Sequence, residues 1–329
     1  LAVVGMLLVA NTLNIAADIA AMAEALRLLV GGSAHVYAVT FGLLCLMLQV
    51  FLPFHLYVRW LKWLTLALLA YVAVAFMLKL DWWQVMGQIV RPQFPAGVSG
   101  HDLLLMVVAV FGTTISPYLF FWQAAQEVEE AGVGPAHSAA RVRHHLRRIK
   151  FDTISGMAFS NLVAFFIILS TAATLHASGL TDIQTSAQAA QALRPIAGDF
   201  AFLLFGLGII GTGMLAVPVL AGSAAYAVSE VVGWPGSLSL RLDNDEGKGF
   251  YGVIAAATLG GVILCFTSMD PVRELFWSAV LNGVIAVPIM AVMMLLAGRR
   301  DTMGENVIGS RLRWLGWIAT GAMAFTVAA

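Results

Sequence analysis

Residues 112–130 read GTTISPYLFFWQAAQEVEE and place a proline, Pro117, inside a largely apolar segment. Proline has no backbone N–H, so the carbonyl of Thr113, four residues earlier, loses its hydrogen-bond partner in an α-helix. Residues 113–117 are all β-branched, hydroxylated or proline, and such residues weaken a helix. The sequence therefore predicts a helix that is broken inside a membrane.

The predicted break leaves a backbone oxygen without a partner, and a bare carbonyl in lipid must find a donor or a cation. The hydroxyl groups of Thr114, Ser116 and Tyr118 lie beside it in the sequence. Transporters bind cations at broken helices that offer backbone and side-chain oxygens near the middle of the bilayer. The alternative is a simple proline kink in a packed helix, and the sequence leaves both interpretations open.

The composition of the chain indicates a polytopic membrane protein. Of 329 residues, 60% are hydrophobic and only 11% are Asp, Glu, Lys or Arg, and the mean hydropathy is +0.88. A soluble domain carries about 25% charged residues, so this chain cannot cover a water-facing surface. The formal net charge of 0 gives no field that attracts a nucleic acid. A soluble enzyme, a nucleic-acid binder and a disordered scaffold are disfavoured, and the sequence contains no catalytic or cofactor motif.

A helical span needs about 20 apolar residues, and nine stretches of the chain meet this requirement. They lie at about 1–26, 34–53, 60–79, 101–123, 153–175, 199–227, 250–268, 274–297 and 314–329. All but five of the 18 Lys and Arg residues fall on one side of these spans, which the positive-inside rule assigns to the cytoplasm. The sequence thus predicts a cytoplasmic loop at 124–152 and a multi-pass protein of the cytoplasmic (inner) membrane.

Ionisable residues are rare within the predicted spans, and one of them lies in a regular stripe with two asparagines in the first span. Asn11, Asn14 and Asp18 are spaced i, i+3, i+7, which places them on one face of a helix. An ionisable side chain at bilayer depth is a functional candidate, so this stripe predicts an ion or proton path. The alternative is a cluster of hydrogen bonds between packed helices.

Two further prolines, Pro218 and Pro288, are predicted to interrupt the spans at 199–227 and 274–297. Asn282 lies about two turns before Pro288. A buried amide within a span is a candidate for a polar cavity, and we expect Asn282 to face the same cavity as the break at Pro117.

Three segments of this chain resemble one family, the natural resistance-associated macrophage protein (Nramp) family of divalent metal transporters, and in particular its divergent bacterial Nramp-related branch. GTTISPYLFFWQAAQEVEE resembles the sixth helix of that branch, NIAADIAAMAEAL (14–26) the third and FSNLVAFFI (159–167) the seventh. The resemblance implies an all-α, LeuT-type inverted-repeat fold. It runs from the third helix to the eleventh, so we expect the family's first two helices to be absent from this chain.

The resemblance also implies roles for individual residues. Thr113 matches the position whose backbone carbonyl binds the metal ion, and Asp18 matches an acid of the third helix associated with the proton path. Asn282 lies one place from a polar position of the tenth helix and is included among the expected metal ligands. The family's Met-Pro-His signature becomes Ser116, Pro117 and Tyr118.

The departures from the family pattern change the expected chemistry. Ser116 in place of methionine replaces a soft thioether by a hydroxyl, which favours hard cations such as magnesium or calcium. Tyr118 in place of histidine removes a group that titrates near neutral pH. The second acid of the third helix is Ala21, and the stretch 250–268 has no arginine pair, so we expect weak or absent proton coupling.

The sequence thus predicts a divalent metal cation transporter of the manganese and iron class or the magnesium class that works by alternating access. The metal ion is its transported substrate, and no cofactor is predicted. Two alternatives remain at this stage. One is a LeuT-fold symporter of an amino acid or an organic cation, and the other is a truncated membrane subunit that does not transport.

Overall fold

The structure is a computed structural model, and all the regular secondary structure in the residues that it describes is helical. These residues are 2–52, 56, 59, 62–78, 80–91, 99–131, 139–176, 179, 183, 186–190, 193, 198–238, 240, 245–267 and 271–328. In chain order the helices are α1 (Ala2–Val30), α2 (Ala34–Phe51), α3 (Leu69–Met77, after a 3-10 turn over Leu64–Leu68), α4 (Trp82–Val90), α5 (Gly100–Thr114), α6 (Pro117–Ala131), α7 (Ala139–Thr174), α8 (Ser186–Ala190), α9 (Ala201–Val232), α10 (Asp245–Leu264), α11 (Pro271–Ala297), α12 (Arg300–Met303) and α13 (Ser310–Ala328).

Helix α1 lies at the centre of the fold and packs against α2, α9, α10 and α11. Its side chains Ile15, Ile19 and Met22 are fully buried and share one core with Phe41 of α2 and Ile254 of α10. Lipid is as apolar as these side chains, so close van der Waals packing holds such helices together, rather than exclusion from water. The stripe of polar residues on α1 is therefore surrounded by other helices.

The turn between α1 and α2 depends on two glycines. Gly31 and Gly32 have φ angles of 73° and 91°, in the left-handed region that glycine adopts without a steric penalty. The hydroxyl of Tyr37 donates to the carbonyl of Gly31 at 2.7 Å and fixes the turn. As a result α2 runs back along α1.

Among the residues that the structure describes, seven helical stretches are long and apolar enough to cross a membrane: α1, α2, α5 with α6, α7, α9, α10 and α11. The bent pair Leu66–Met77 and Trp82–Val90 would add an eighth. Each of the nine predicted stretches contains helix in its described residues, although α13 does not meet the same apolarity test. The exact number of crossings stays a prediction.

The segment 124–152 differs from the predicted loop. Helix α6 continues to Ala131 and α7 begins at Ala139, so both sides of the interval 132–138 are helical. The loop prediction rests on the Arg and Lys residues of 141–150, which the positive-inside rule assigns to the cytoplasm. A helix that extends beyond the bilayer can carry those charges equally well, since they then lie in water.

Only one of the three prolines breaks a helix within the described residues. Pro117 is the first residue of α6, whereas α9 continues through Pro218 and α11 through Pro288. The predicted interruptions at Pro218 and Pro288 are therefore wrong. Both prolines have apolar and partly β-branched neighbours, such as Val217 and Val287, and packed neighbours in a membrane protein tolerate a single missing N–H. Pro117 differs in that three hydroxylated residues lie just before it, and such side chains compete for backbone hydrogen bonds.

Helix α5 packs directly onto the backbone of α11 through glycines. A Cβ atom on Gly112 would collide with the carbonyl oxygen of Ala279 and lie 2.7 Å from the amide nitrogen of Gly283. A Cβ atom on Gly283 would lie 3.1 Å from the carbonyl oxygen of Val108. Small residues thus let the two helix backbones approach, as is common in membrane bundles.

We predict that Gly112→Ala destabilises the protein by about 1–3 kcal/mol, because backbone atoms cannot move aside as a side chain can. The matched control is Gly156→Ala in α7, where a Cβ atom would meet nothing within 4 Å. Thermal unfolding of the detergent-solubilised protein should show a lower midpoint for Gly112→Ala only. Equal midpoints for the two variants would contradict the close contact between α5 and α11.

Candidate functional site

The break in the membrane helix lies at Ile115 and Ser116. Helix α5 ends at Thr114, and Ile115 leaves the helical conformation with φ −113° and ψ 62°. The amide of Ile115 still donates to the carbonyl of Phe111 at 2.7 Å, and the amide of Leu119 begins α6 by donating to the carbonyl of Ser116 at 3.1 Å. Two short helices therefore meet end to end at Pro117, as the sequence predicts.

The side chain of Ser116 lies among backbone oxygens in the break. Its hydroxyl oxygen is 2.8 Å from the carbonyl oxygen of Gly112 and 3.1 Å from that of Thr113. Ser116 is only 4% exposed. A serine hydroxyl has one proton, so two carbonyl oxygens share a single donor. The carbonyl of Thr113 is therefore not bare, but the cluster contains more acceptors than protons.

The other hydroxyl groups near the break are directed elsewhere. The hydroxyl of Thr113 donates to the carbonyl of Val110 at 2.8 Å, and so does the hydroxyl of Thr114. Tyr118 packs against the central hydrophobic core. Of the hydroxyls considered from the sequence, Ser116 is the one that contacts the backbone oxygens of the break.

Helix α11 brings two polar side chains next to this end of α5. Asn282 directly precedes Gly283, the glycine that packs against α5, and it is 2% exposed. Its amide oxygen is buried without a hydrogen-bond partner among the described residues. One turn earlier, the hydroxyl of Ser278 donates to the amide oxygen of Asn14 of α1 at 2.6 Å. The break, α11 and α1 thus converge.

Asp18 of α1 lies close enough to Tyr118 and Cys45 to interact electrostatically with both side chains. Tyr118 is the second residue of α6, so this carboxyl lies beside the start of that helix. In the described part of the chain, Asp18 makes no hydrogen bond or ion pair, and it is only partly buried. A carboxyl group in this position is available to a cation or a proton.

The contacts of Asn11 differ from those of Asp18. Its side-chain amide donates to the carbonyl of Leu220 and to the hydroxyl of Ser223, both in α9 and both at 2.9 Å. Asn11 is fully buried. For this residue the structure favours the alternative interpretation, a hydrogen bond between packed helices. The stripe on α1 is therefore divided among α9, α11 and α6.

Ser278 was not singled out in the sequence, although it lies four residues before Asn282 on the same face of a helix. That spacing is a usable signal, because residues i and i+4 are neighbours on a helix surface. Its hydrogen bond to Asn14 spans 264 positions in sequence and has no local signature.

A cavity of about 920 Å³ lies beside α6, towards the end that the sequence predicts to be cytoplasmic. It is lined mostly by apolar side chains, among them Phe120 of α6 and Met293 of α11, and by the carboxylates Glu127 and Glu230. Residues 112–118 do not line it. The described residues contain no group of three or more His, Cys, Asp and Glu side chains that could hold a metal ion. The candidate site therefore consists of carbonyl, hydroxyl and amide oxygens with one carboxyl group nearby.

Comparison with known families matches residues 1–329 to the family described as "Natural resistance-associated macrophage protein-like". Similar curated proteins carry the name "Divalent metal cation transporter MntH". The one from Clostridium acetobutylicum is 24% identical over 250 residues, covering 76% of this chain and 53% of its own length. The one from Pectobacterium carotovorum is 24% identical and covers 76% and 56%, and the one from Agrobacterium fabrum is 28% identical and covers 61% and 43%. The chain thus spans about half the length of these relatives.

We predict that Asn11→Ala mainly lowers stability, whereas Asp18→Asn mainly lowers metal uptake. Asn11→Ala removes two buried hydrogen bonds and should lower stability by about 1–3 kcal/mol. Asp18→Asn removes a carboxyl group without a described partner, so stability should hold while metal uptake falls. Thermal unfolding and uptake into proteoliposomes, both with the full-length protein, measure these effects. Full stability with lost uptake in Asn11→Ala would instead place Asn11 on the ion path.

Proposed function

Because this chain belongs to the natural resistance-associated macrophage protein family, whose fold is the LeuT-type inverted repeat, we propose that it carries divalent metal ions across a membrane by alternating access. The observation that carries this proposal is the oxygen cluster at the break, formed by Ser116 and the carbonyls of Gly112 and Thr113. The Ser116 hydroxyl has one proton, and the two carbonyl oxygens share it. A cation in the cluster would interact favourably with all three oxygens at once.

Two neighbouring helices supply further ligands in this proposal. Asn282 of α11 offers an amide oxygen that is buried without a described partner, one position before Gly283, which packs against α5. Burying a polar atom without a partner is unfavourable unless a ligand or water satisfies it. Asn14 of α1 accepts a hydrogen bond from the Ser278 hydroxyl of α11 through its amide oxygen. Asp18 completes the site as the acid on the ion path, next to the first turn of α6.

The proposed substrate class follows from these ligands. Carbonyl, hydroxyl, amide and carboxyl oxygens are hard donors and suit magnesium, calcium or manganese ions better than softer transition metals. The relatives named for divalent metal transport support a divalent ion over an organic cation or an amino acid. We propose magnesium or manganese with weak selectivity, weak or absent proton coupling, and a location in the cytoplasmic membrane.

The cavity beside α6 fits alternating access. It lies on the side of the break towards the predicted cytoplasm and borders α6 and α11, two of the helices that meet at the proposed site. In the proposed cycle, movement of α6 about the break connects the oxygen cluster to this cavity in one state and closes it off in another.

We predict that Ser116→Met raises the preference for manganese over magnesium, because a thioether favours the softer ion. Ser116→Ala should lower uptake of both ions by about tenfold, since it removes one oxygen ligand. Uptake of each ion into proteoliposomes that contain the full-length protein measures these effects.

The matched control for these variants is Thr113→Val. It removes a hydroxyl that donates within its own helix but keeps the backbone carbonyl, so uptake should stay near that of the parent protein. An unchanged manganese-to-magnesium ratio in Ser116→Met, with normal folding, would contradict the assignment of Ser116 as a ligand.

A further inference from the structure

Helix α6 has two faces with different surroundings. Phe120, Phe121 and Glu127 line the large cavity on one face. On the other face Trp122 packs against α9, where a Cβ atom on Gly222 would lie 2.5 Å from its ring. The break at Ile115 and Ser116 interrupts the backbone hydrogen bonds that would tie α6 to α5. The position of α6 therefore depends on its side-chain contacts with neighbouring helices.

The strongest polar contact on the α9 face lies near the far end of α6. The hydroxyl of Tyr226 in α9 donates to a carboxyl oxygen of Glu129 at 2.6 Å. Such a short distance is typical of a hydroxyl bonded to a carboxylate. One turn earlier on the same face, the side-chain amide of Gln126 donates to the Tyr226 hydroxyl at 3.4 Å. Residues 126 and 129 of α6 thus converge on one tyrosine hydroxyl.

The same carboxyl group also holds the segment that follows α9. The backbone amide of Leu238 lies 3.3 Å from the bonded oxygen of Glu129 and 3.2 Å from the Tyr226 hydroxyl. The hydroxyl of Tyr251 in α10 donates to the carbonyls of Leu238 and Leu240 at 3.1 Å each. Glu129 therefore connects α6 to α9 and, through Leu238, to α10.

The burial of the two partners suits a contact that opens and closes. Tyr226 is 3% exposed and stacks edge-on against Phe250, so its position is fixed by the core. Glu129 is exposed. When the bond breaks, water can solvate the carboxyl group, so its release carries a small penalty. A small cavity of about 160 Å³ beside the pair leaves room for that water.

We propose that Glu129 and Tyr226 are positioning residues of the carrier, forming a latch that holds α6 against α9 in one state of the transport cycle and opens when α6 hinges about Ile115 and Ser116. This role rests on the proposed function for its effect on transport. The latch itself is a contact between two helices, and it can be measured without any transported ion.

The first experiment measures how often the latch opens. Ala125 lines the small cavity between α6 and α9, so an Ala125→Cys reporter in the full-length protein reacts with a thiol reagent when the helices separate. Labelling is followed by peptide mass spectrometry, which counts the native Cys45 and Cys265 separately. Adding Tyr226→Phe or Glu129→Ala should speed labelling about fivefold, the effect of one lost hydrogen bond. Combining the two should add little, since both remove the same bond.

The matched control is Tyr37→Phe, which removes one hydroxyl from the turn between α1 and α2 and leaves α6 untouched. A reporter at Gln123→Cys should label equally in all backgrounds, because Gln123 is exposed and lines the large cavity, not the small one. Glu129→Gln keeps an accepting oxygen and should restore slow labelling at Ala125→Cys. The latch is overturned if labelling does not change in Tyr226→Phe and Glu129→Ala, or if Tyr37→Phe speeds it equally.

The second experiment links the latch to transport. In proteoliposomes, Tyr226→Phe and Glu129→Ala should change kcat for magnesium or manganese uptake at least about threefold while KM stays unchanged, because the latch does not touch the ion. A change in KM with constant kcat would overturn the assigned role. If the protein carries no ion at all, the proposed function fails, while the labelling result still decides whether the latch exists.

Discussion

The structure depends on one constraint, that a peptide carbonyl inside a membrane needs a donor or a positive charge. Pro117 removes the donor for Thr113, and the helix separates into α5 and α6 at that position. The hydroxyl of Ser116 is directed towards the two carbonyls that precede the break, and its single proton cannot satisfy both of them fully. The proposed ion site and the separation of α6 from α5 follow from this local deficit.

Helix α1 organises the remaining polar groups around the break. Its residues Asn11, Asn14 and Asp18 project towards three different neighbours, and the two asparagines have hydrogen-bond partners on α9 and α11. Asp18 is left with neighbours but no described partner. In a bilayer, hydrogen bonds between helices orient the bundle, so the two amides fix the helix that carries the acid. Within this one stripe, the two asparagines thus bond to neighbouring helices, and Asp18 is the member that we propose for the ion path.

The sequence predicted the membrane class, the helical fold and the break at Pro117, because long apolar runs and a proline after β-branched and hydroxylated residues have direct local consequences. It did not predict that helices continue through Pro218 and Pro288, since tolerance of a proline depends on the helices packed around it. Contacts between distant segments, such as Ser278 with Asn14 or Tyr226 with Glu129, have no local signature. The hydrogen bond from the Ser116 hydroxyl to the Thr113 carbonyl was also not predicted, because the folded backbone sets the rotamer of a serine in a break.

The two halves of the broken helix are held unequally, and this has a mechanical consequence. Helix α5 is fixed because Gly112 leaves no space between its backbone and that of α11. In the proposed cycle, helix α6 tilts about Pro117. Its 15 residues extend about 22 Å, so a tilt of about 10° displaces its far end by about 4 Å. A displacement of this size breaks a hydrogen bond at the tip, near residue 129, while atoms beside the pivot move by a fraction of an ångström. In the proposed transport cycle, a small rearrangement around an ion bound at residue 116 would therefore cause a large movement at the membrane surface.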